Sequence, residues 1–197
     1  RIFALQQANQ WKIKATGADQ RKAKLAKLKA AVEAHTDAII AAVLEDTRKP
    51  LGEIRVTEVL NVTGNIQRNI DNLDAWMTPT EVATSMNPAD KARIIYEARG
   101  VCLILGPWNF PLGNPGRKLG APIAAGCSVI VKPAELTTLS TLRVAELAQE
   151  AGIPASVFNV VSGTGKDAGE PIGLHPDIAM VSFTGSTLTG RRFLRYA

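Results

Sequence analysis

Cysteine and histidine are scarce in this chain, with two of each among 197 residues. Two cysteines cannot build the disulfide framework of a small secreted scaffold. Cys102 lies within one apolar run and Cys127 just before another, which reads as two buried free thiols in a reduced, cytoplasmic compartment. A disulfide between them stays open, although nothing in the pattern requires it. Neither cysteine is placed like a nucleophile. His35 and His175 have no partners at metal-ligand spacing, so no metal is expected. No apolar run reaches the length of a membrane span, and no signal peptide opens the chain. The chain begins at Arg1 rather than Met, which leaves its true N-terminus open. The net charge of +5 could suit an anionic partner, but the basic residues are spread out except in RKAKLAKLK at 21–29. There Leu25, Leu28 and Val32 recur at helical spacing, so the lysines read as the wet face of an amphipathic helix and not as a nucleic-acid surface.

What is present is most telling between residues 101 and 135. The runs VCLIL and SVIV are short, rich in β-branched residues and bounded by Gly or Pro, which favours fully buried strands over helices. Residues 113–126 between them are long enough for a crossover helix. Each strand ends in a proline-marked turn, and in an open α/β sheet that carboxyl edge is where ligands bind. The first turn holds Gly106, Pro107, Trp108, Asn109, Phe110 and Pro111. Asn109 offers an amide that can donate to an oxygen becoming negative in a transition state, or can cap the helix that follows. Lys132 and Glu135 put a cation and a carboxylate three residues apart. Such a pair suits the hydroxyls of a nucleotide ribose, or simply forms a solvated helix start.

The front of the chain reads as helical. Residues 2–15 and 19–34 form the first two helices, and Thr36 is expected to cap a third with Ile40, Val43 and Leu44 as its apolar stripe. Lys49-Pro50 stops it. A longer helix follows, with Val56, Val59, Leu60, Thr63, Ile66, Ile70 and Leu73 on one face and its end at Trp76-Met77. Residues 81–84 and 92–97 read as a hairpin around Asn87-Pro88-Ala89-Asp90. After Glu135, Thr137 or Thr138 can cap a helix reaching Gln149. Residues 157–161, 166–174 and 180–183 then read as strand, helix and strand, before a last helix. Strand, turn and helix thus recur four times from Val101, which argues a parallel, right-handed, doubly wound sheet. Gly163, Gly165 and Gly169 make a GxGxxxG with one residue more than the usual dinucleotide fingerprint, and a tight turn plus helix start explains it equally well.

Three ordered motifs, GPWNFP, AAGCSVIVKPAE and FTGST at 183–187, resemble the aldehyde dehydrogenase superfamily, and the similarity runs from DTRKPLGE at 46–53 to the C-terminus. The resemblance implies a Rossmann-like α/β fold in three parts. These are an N-terminal helical layer at 1–78, a protruding β-hairpin at 79–99 that helps oligomerisation, and an NAD(P)-binding region from 100 to 197, incomplete at its C-terminus. It implies oxidation of an aldehyde to a carboxylic acid with NAD, or NADP, by a homo-oligomer, dimer or tetramer. Asn109 would help hold the oxyanion. Leu105, Gly106, Pro107, Trp108, Lys132, Pro133, Ala134, Glu135, Gly163, Gly165, Gly169, Phe183, Thr184, Gly185 and Ser186 would form the cofactor site. Within it, Lys132 and Glu135 would meet the adenosine ribose, and Gly185 and Ser186 sit at a helix start able to meet a phosphate. In the resembling family a cysteine thiolate attacks the aldehyde and a glutamate activates water, both placed after the FTGST motif and so beyond Ala197. A truncated, non-catalytic homologue acting as a dinucleotide-binding or assembly module is the alternative. Arg117, eight residues after Asn109, is similar in place to an arginine that binds the substrate's acid end in the succinate-semialdehyde branch. A carboxylate-bearing semialdehyde is therefore the expected substrate, a solvent-facing arginine on a basic helix is the other reading, and the N-terminal half also fits branches oxidising aromatic or long-chain aldehydes, which stay open.

Overall fold

The computed structural model describes residues 1–84 and 89–196. The Asn87-Pro88 part of the expected turn lies outside them.

Three helices open the chain: α1 (Ile2–Lys14), α2 (Ala18–Ala34) and α3 (Thr36–Thr47). Leu25, Leu28 and Val32 are buried, as their spacing requires, and none of the α2 lysines is buried. Arg21, at the head of the same basic run, is the exception. It is 7% exposed and donates to the carbonyls of Lys14 and Ala124 at 2.9 and 3.2 Å. Thr36 does not cap α3. It lies inside the helix, and its hydroxyl donates back to the carbonyls of Val32 and Glu33, a habit of hydroxyls near helix junctions. Leu44 is partly exposed, and Ile39 takes its place in the core.

The next helix is one rod in three segments: α4 (Leu51–Glu53), a π-helical stretch Ile54–Leu60 and α5 (Asn61–Met77). The wide turns shift the buried stripe. Val56 and Leu60, expected inside, are 59% and 55% exposed, while Ile54, Glu58 and Val59 point inward. Past the π stretch the ordinary period returns with Val62, Thr63, Ile66 and Leu73 buried. A two-stranded antiparallel hairpin follows, β1 (Thr80–Val82) with β2 (Ala92–Ile94).

From there strand and helix alternate: β3 (Val101–Leu105), α6 (Gly113–Ala125), β4 (Ser128–Lys132), α7 (Leu139–Glu150), β5 (Phe158–Val160), a π-type turn Gly165–Gly169 running into α8 (Glu170–Gly173), β6 (Ile178–Phe183) and α9 (Thr187–Tyr196). The sheet is parallel, in the order β5-β4-β3-β6. Alternate residues serve its two faces. Ile104, Val129 and Val131 pack on the helical layer with Leu25, Ile66, Ile123 and Val144. Val101, Leu103, Leu105 and Ile130 pack on the opposite face with Ile2, Phe3, Ile172 and Phe193. The register places Leu105 opposite both Lys132 and Phe183, so three strands end level and their turns open at one edge.

Gly126 closes α6 in the left-handed region at φ +81°, where a Cβ would lie 2.6 Å from the Arg21 guanidinium. The start of α7 is capped from a distance. Neither Thr137 nor Thr138 caps it; the Asp46 carboxylate of α3 accepts the N–H groups of Leu139 and Ser140 at 3.3 and 2.9 Å. No helix among the described residues is long and apolar enough to cross a membrane, and no cluster of metal-binding side chains occurs among them.

Candidate functional site

The turn after β3 continues the ladder before it leaves the sheet. Gly106 N–H donates to the carbonyl of Lys132 at 3.1 Å, and Thr184 N–H donates to that of Leu105 at 3.2 Å. The three strand ends are thereby tied side by side around a cleft of about 600 Å³. Leu105, Gly106, Pro107, Trp108 and Asn109 form one wall. Lys132, Ala134 and Glu135 form the second, Gly165 and Gly169 the floor of the third, and Phe183, Thr184, Gly185 and Ser186 the last. Of the residues read from the sequence as cofactor-binding, Pro133 and Gly163 stand apart from the lining. Pro133 is buried behind it. Gly163, at φ +146° and with no room for a Cβ beside Ala168, shapes the turn that carries Gly165. Leu136, Thr189 and Phe193 also line the cleft, and no motif pointed to them.

Lys132 is 5% exposed, and its ammonium lies 3.2 Å from the carboxylate of the exposed Glu135. Glu135's own backbone N–H, then Lys132, hold its carboxyl below the usual carboxylate range. A fixed donor and a fixed acceptor therefore share the rim. Opposite them, Gly165 leaves open space where a side chain would stand. Ser186 immediately precedes α9, its hydroxyl accepting Thr189 N–H at 3.3 Å, and both residues line the cleft.

Asn109 is exposed, and its amide makes no hydrogen bond among the described residues. It does not cap α6. The helix start is satisfied instead by Glu58, whose carboxylate accepts Leu112 N–H at 3.1 Å and Gly113 N–H as well. The neighbouring carbonyls are also claimed: Thr137 donates to Trp108 at 3.2 Å and Thr141 to Pro111 at 2.9 Å. The turn is thus held by its backbone while the Asn109 amide is left free to bind.

Lys118 reaches the cleft from α6 and donates to the Thr184 hydroxyl. Desolvation first, and then the charge of Arg117, lower its pKa. Arg117 and Lys118 are adjacent in sequence, but a helix turns about 100° per residue, so they serve different sites. Arg117 lines a second cavity of about 420 Å³ with Val56, Thr57, Asn61, Phe110, Gly113 and Asn114. It makes no ion pair among the described residues, and the buried Asn114 Oδ1 beside it has no hydrogen-bond partner.

Cys102 and Cys127 are free and buried, and the neighbouring Cys127 thiol together with burial holds the Cys102 thiol well above the usual range. They sit where β3 and β4 begin, Cys102 about 10 Å and Cys127 about 16 Å along the strands from the cleft. Neither faces it.

Residues 2–197 match the model of the aldehyde dehydrogenase family. Over 180 residues the chain is 48% identical to aminoacetaldehyde dehydrogenase of Pseudomonas aeruginosa, covering 90% of this chain and 35% of that protein. Over 110 residues it is 47% identical to mitochondrial succinate-semialdehyde dehydrogenase of Homo sapiens, covering 54% of this chain and 21% of that protein. Its fold matches the crystal structure of a mutant of aldehyde dehydrogenase C from Pseudomonas syringae complexed with NAD+ and octanal. The TM-score is 0.90 at 29% identity, covering 100% of this chain and 39% of that one. The chain therefore spans about a third of the first of these curated relatives and a smaller share of the second.

Proposed function

The chain belongs to the aldehyde dehydrogenase family, and from that premise we propose that it forms the cofactor-binding part of an enzyme oxidising an aldehyde to a carboxylic acid with NAD(P)+. The observation that carries this reading is the meeting, in one cleft, of the Lys132–Glu135 pair and the unbonded Asn109 amide. The residues fit the cofactor. Lys132 and Glu135 supply a donor and an acceptor for the adenosine ribose, and the open position at Gly165 leaves room beside them. The N–H groups at the start of α9 suit a pyrophosphate. NAD(P)+, when bound, supplies the two-electron acceptor. Asn109 donates to the aldehyde oxygen as negative charge gathers there, a role that needs a preorganised amide with no other partner. Cys102 and Cys127, buried away from the cleft, do not supply the thiolate of this reading.

Glu135 favours NAD+ over NADP+, because a 2′-phosphate near its carboxylate is repelled and Lys132 offsets that only in part. Comparison of kcat/KM for the two cofactors on the full-length enzyme tests this, and equal values would refute it.

Arg117 points to a substrate with a carboxylate at its far end. The two named relatives act on aldehydes whose other ends carry opposite charges, an amine in one and an acid in the other. An unpaired guanidinium beside the oxyanion turn attracts a carboxylate through two parallel N–H···O bonds and repels an ammonium. Full-length wild type should prefer succinate semialdehyde to butyraldehyde, and both to aminoacetaldehyde, with Arg117→Ala erasing the first preference. A variant that slows the charged and uncharged substrates equally removes Arg117 from substrate recognition.

A further inference from the structure

We propose that Lys49 and Glu58 are positioning residues that set the Asn109 turn, an inference that rests on reading Asn109 as the oxyanion donor. Glu58 is fully buried. A carboxylate in that setting persists only when it is paired and its remaining lone pairs are used. One oxygen meets the Lys49 ammonium at 2.7 Å, and the other accepts the N–H groups of Leu112 and Gly113. Lys49 in turn stands 3.8 Å over the Phe110 ring, with Glu53 as a second, looser partner at 3.8 Å. The pair thus grips the turn on both sides of Pro111, at Phe110 through the cation and at Leu112 through the carboxylate. Asn109 is the next residue along.

The rod that carries Glu58 is built for this reach. Its π-helical stretch Ile54–Leu60 turns Val56 and Leu60 out to solvent, a local cost in burial, and brings Glu58 inward. Wide turns of this kind are frequent at functional sites. Stability alone does not call for the pair, because well-packed apolar residues in place of a buried ion pair are often as stable. What apolar residues could not do is accept two backbone N–H groups and hold an aromatic ring beside a catalytic amide. Oxyanion stabilisation depends on fixed donors, and a shift of about 1 Å can cost roughly a hundredfold in rate.

The test uses the full-length enzyme with Lys49→Met, Lys49→Arg and Glu58→Gln, each with and without Asn109→Ala. Lys49→Met should lower kcat by about tenfold to a hundredfold while NAD+ affinity, read by titration, stays within about twofold. Lys49→Arg should recover most of the rate. In the Asn109→Ala background the same change should cost less than about twofold, because the brace acts through that amide. Equal losses in both backgrounds, or a loss that follows NAD+ affinity, would overturn the proposal. If Glu58→Gln does not fold, the two Lys49 variants carry the test. Amide hydrogen exchange supplies an arm independent of activity: Lys49→Met should speed exchange at Leu112 and Gly113 about tenfold, and unchanged exchange there overturns the brace. A folded wild type that oxidises no aldehyde would refute the reading of Asn109, while the exchange arm would still decide the brace.

Discussion

The turns after β3 and after β6 face each other across one cleft, and they are built on opposite plans. The β3 turn leaves a strand buried at every residue and is tied by Glu58, Thr137 and Thr141, each distant in sequence. Two prolines stiffen it further. The β6 turn leaves a strand that is half-buried throughout and holds itself largely by its own cap, Ser186 on Thr189, with Lys118 and the Leu105 carbonyl as its outside ties at Thr184. On the proposed roles, the difference fits the work each turn would do. An oxyanion donor must stand within a fraction of an ångström of a developing charge. A helix start that receives a phosphate presents several N–H groups at once and tolerates more movement. In that proposal, fixed backbone with a free side chain marks the chemical side and local capping marks the binding side.

The sharpest break of that comparison is Asn109→Ala. Removing one oxyanion donor typically raises the barrier by roughly 2.7–4 kcal/mol. In the full-length enzyme the acylation rate should fall by that measure with NAD+ affinity nearly unchanged, as single-turnover kinetics and a binding titration would report. A large loss of cofactor affinity instead would make Asn109 part of the structure of the turn.

A smaller contrast lies in two glycines. At Gly113 a Cβ would stand 2.3 Å from the Thr57 carbonyl and 3.1 Å from Glu58, and a backbone carbonyl cannot swing aside as a side chain can. Gly113→Ala should therefore destabilise by about 2–3 kcal/mol. On the β6 side, a Cβ at Gly190 would meet the Phe183 ring at 3.5 Å, an ordinary contact within α9. Gly190→Ala should be neutral or gain up to about 1 kcal/mol from helix propensity. Urea unfolding of the two variants compares the sides directly, and equal effects would end the distinction between a braced turn and a loose one.

What could be seen beforehand follows the same divide. β3, the α6 crossover and the Lys132–Glu135 pair are local in sequence, so run length, glycine punctuation and spacing reveal them. The caps are not local. Glu58 serves residues 54 and 55 positions later, and Asp46 serves residues 93 and 94 positions later, so no window of sequence shows either carboxylate at work. The nearby hydroxyls, Thr36, Thr137 and Thr138, looked like caps because local rules rank them so. In the fold Thr36 bonds backward along the chain and Thr137 is spent on the Trp108 carbonyl. Val56 and Leu60 were placed inside by a strict 3.6-residue period, which the π stretch breaks. Lys118 hid in a basic pair whose two members diverge around the helix.

The smallest effect concerns the binding side and its pH dependence. Glu135's carboxyl is held below its usual range by its own backbone N–H and by Lys132. A carboxyl whose pKa is lower folded than unfolded binds fewer protons in the folded state across that window, so stability rises with pH there. The contribution is complete above the unfolded value, about 4.3 for glutamate, and is lost as pH falls through the folded one. Because the side chain is 53% exposed, solvent screening keeps the contribution small. Wild type and Glu135→Gln should thus differ by a small, constant margin in unfolding midpoint at neutral pH, and the two curves should converge in acid below about pH 4. As the proposed ribose acceptor, Glu135 should stay ionised from pH 8 down to about 5, above its lowered pKa, so NAD+ affinity should not weaken over that range through this group. Curves that diverge in acid would mean that Glu135 is held by something other than its backbone N–H and Lys132, and the fixed donor and acceptor on the rim would have to be reassigned.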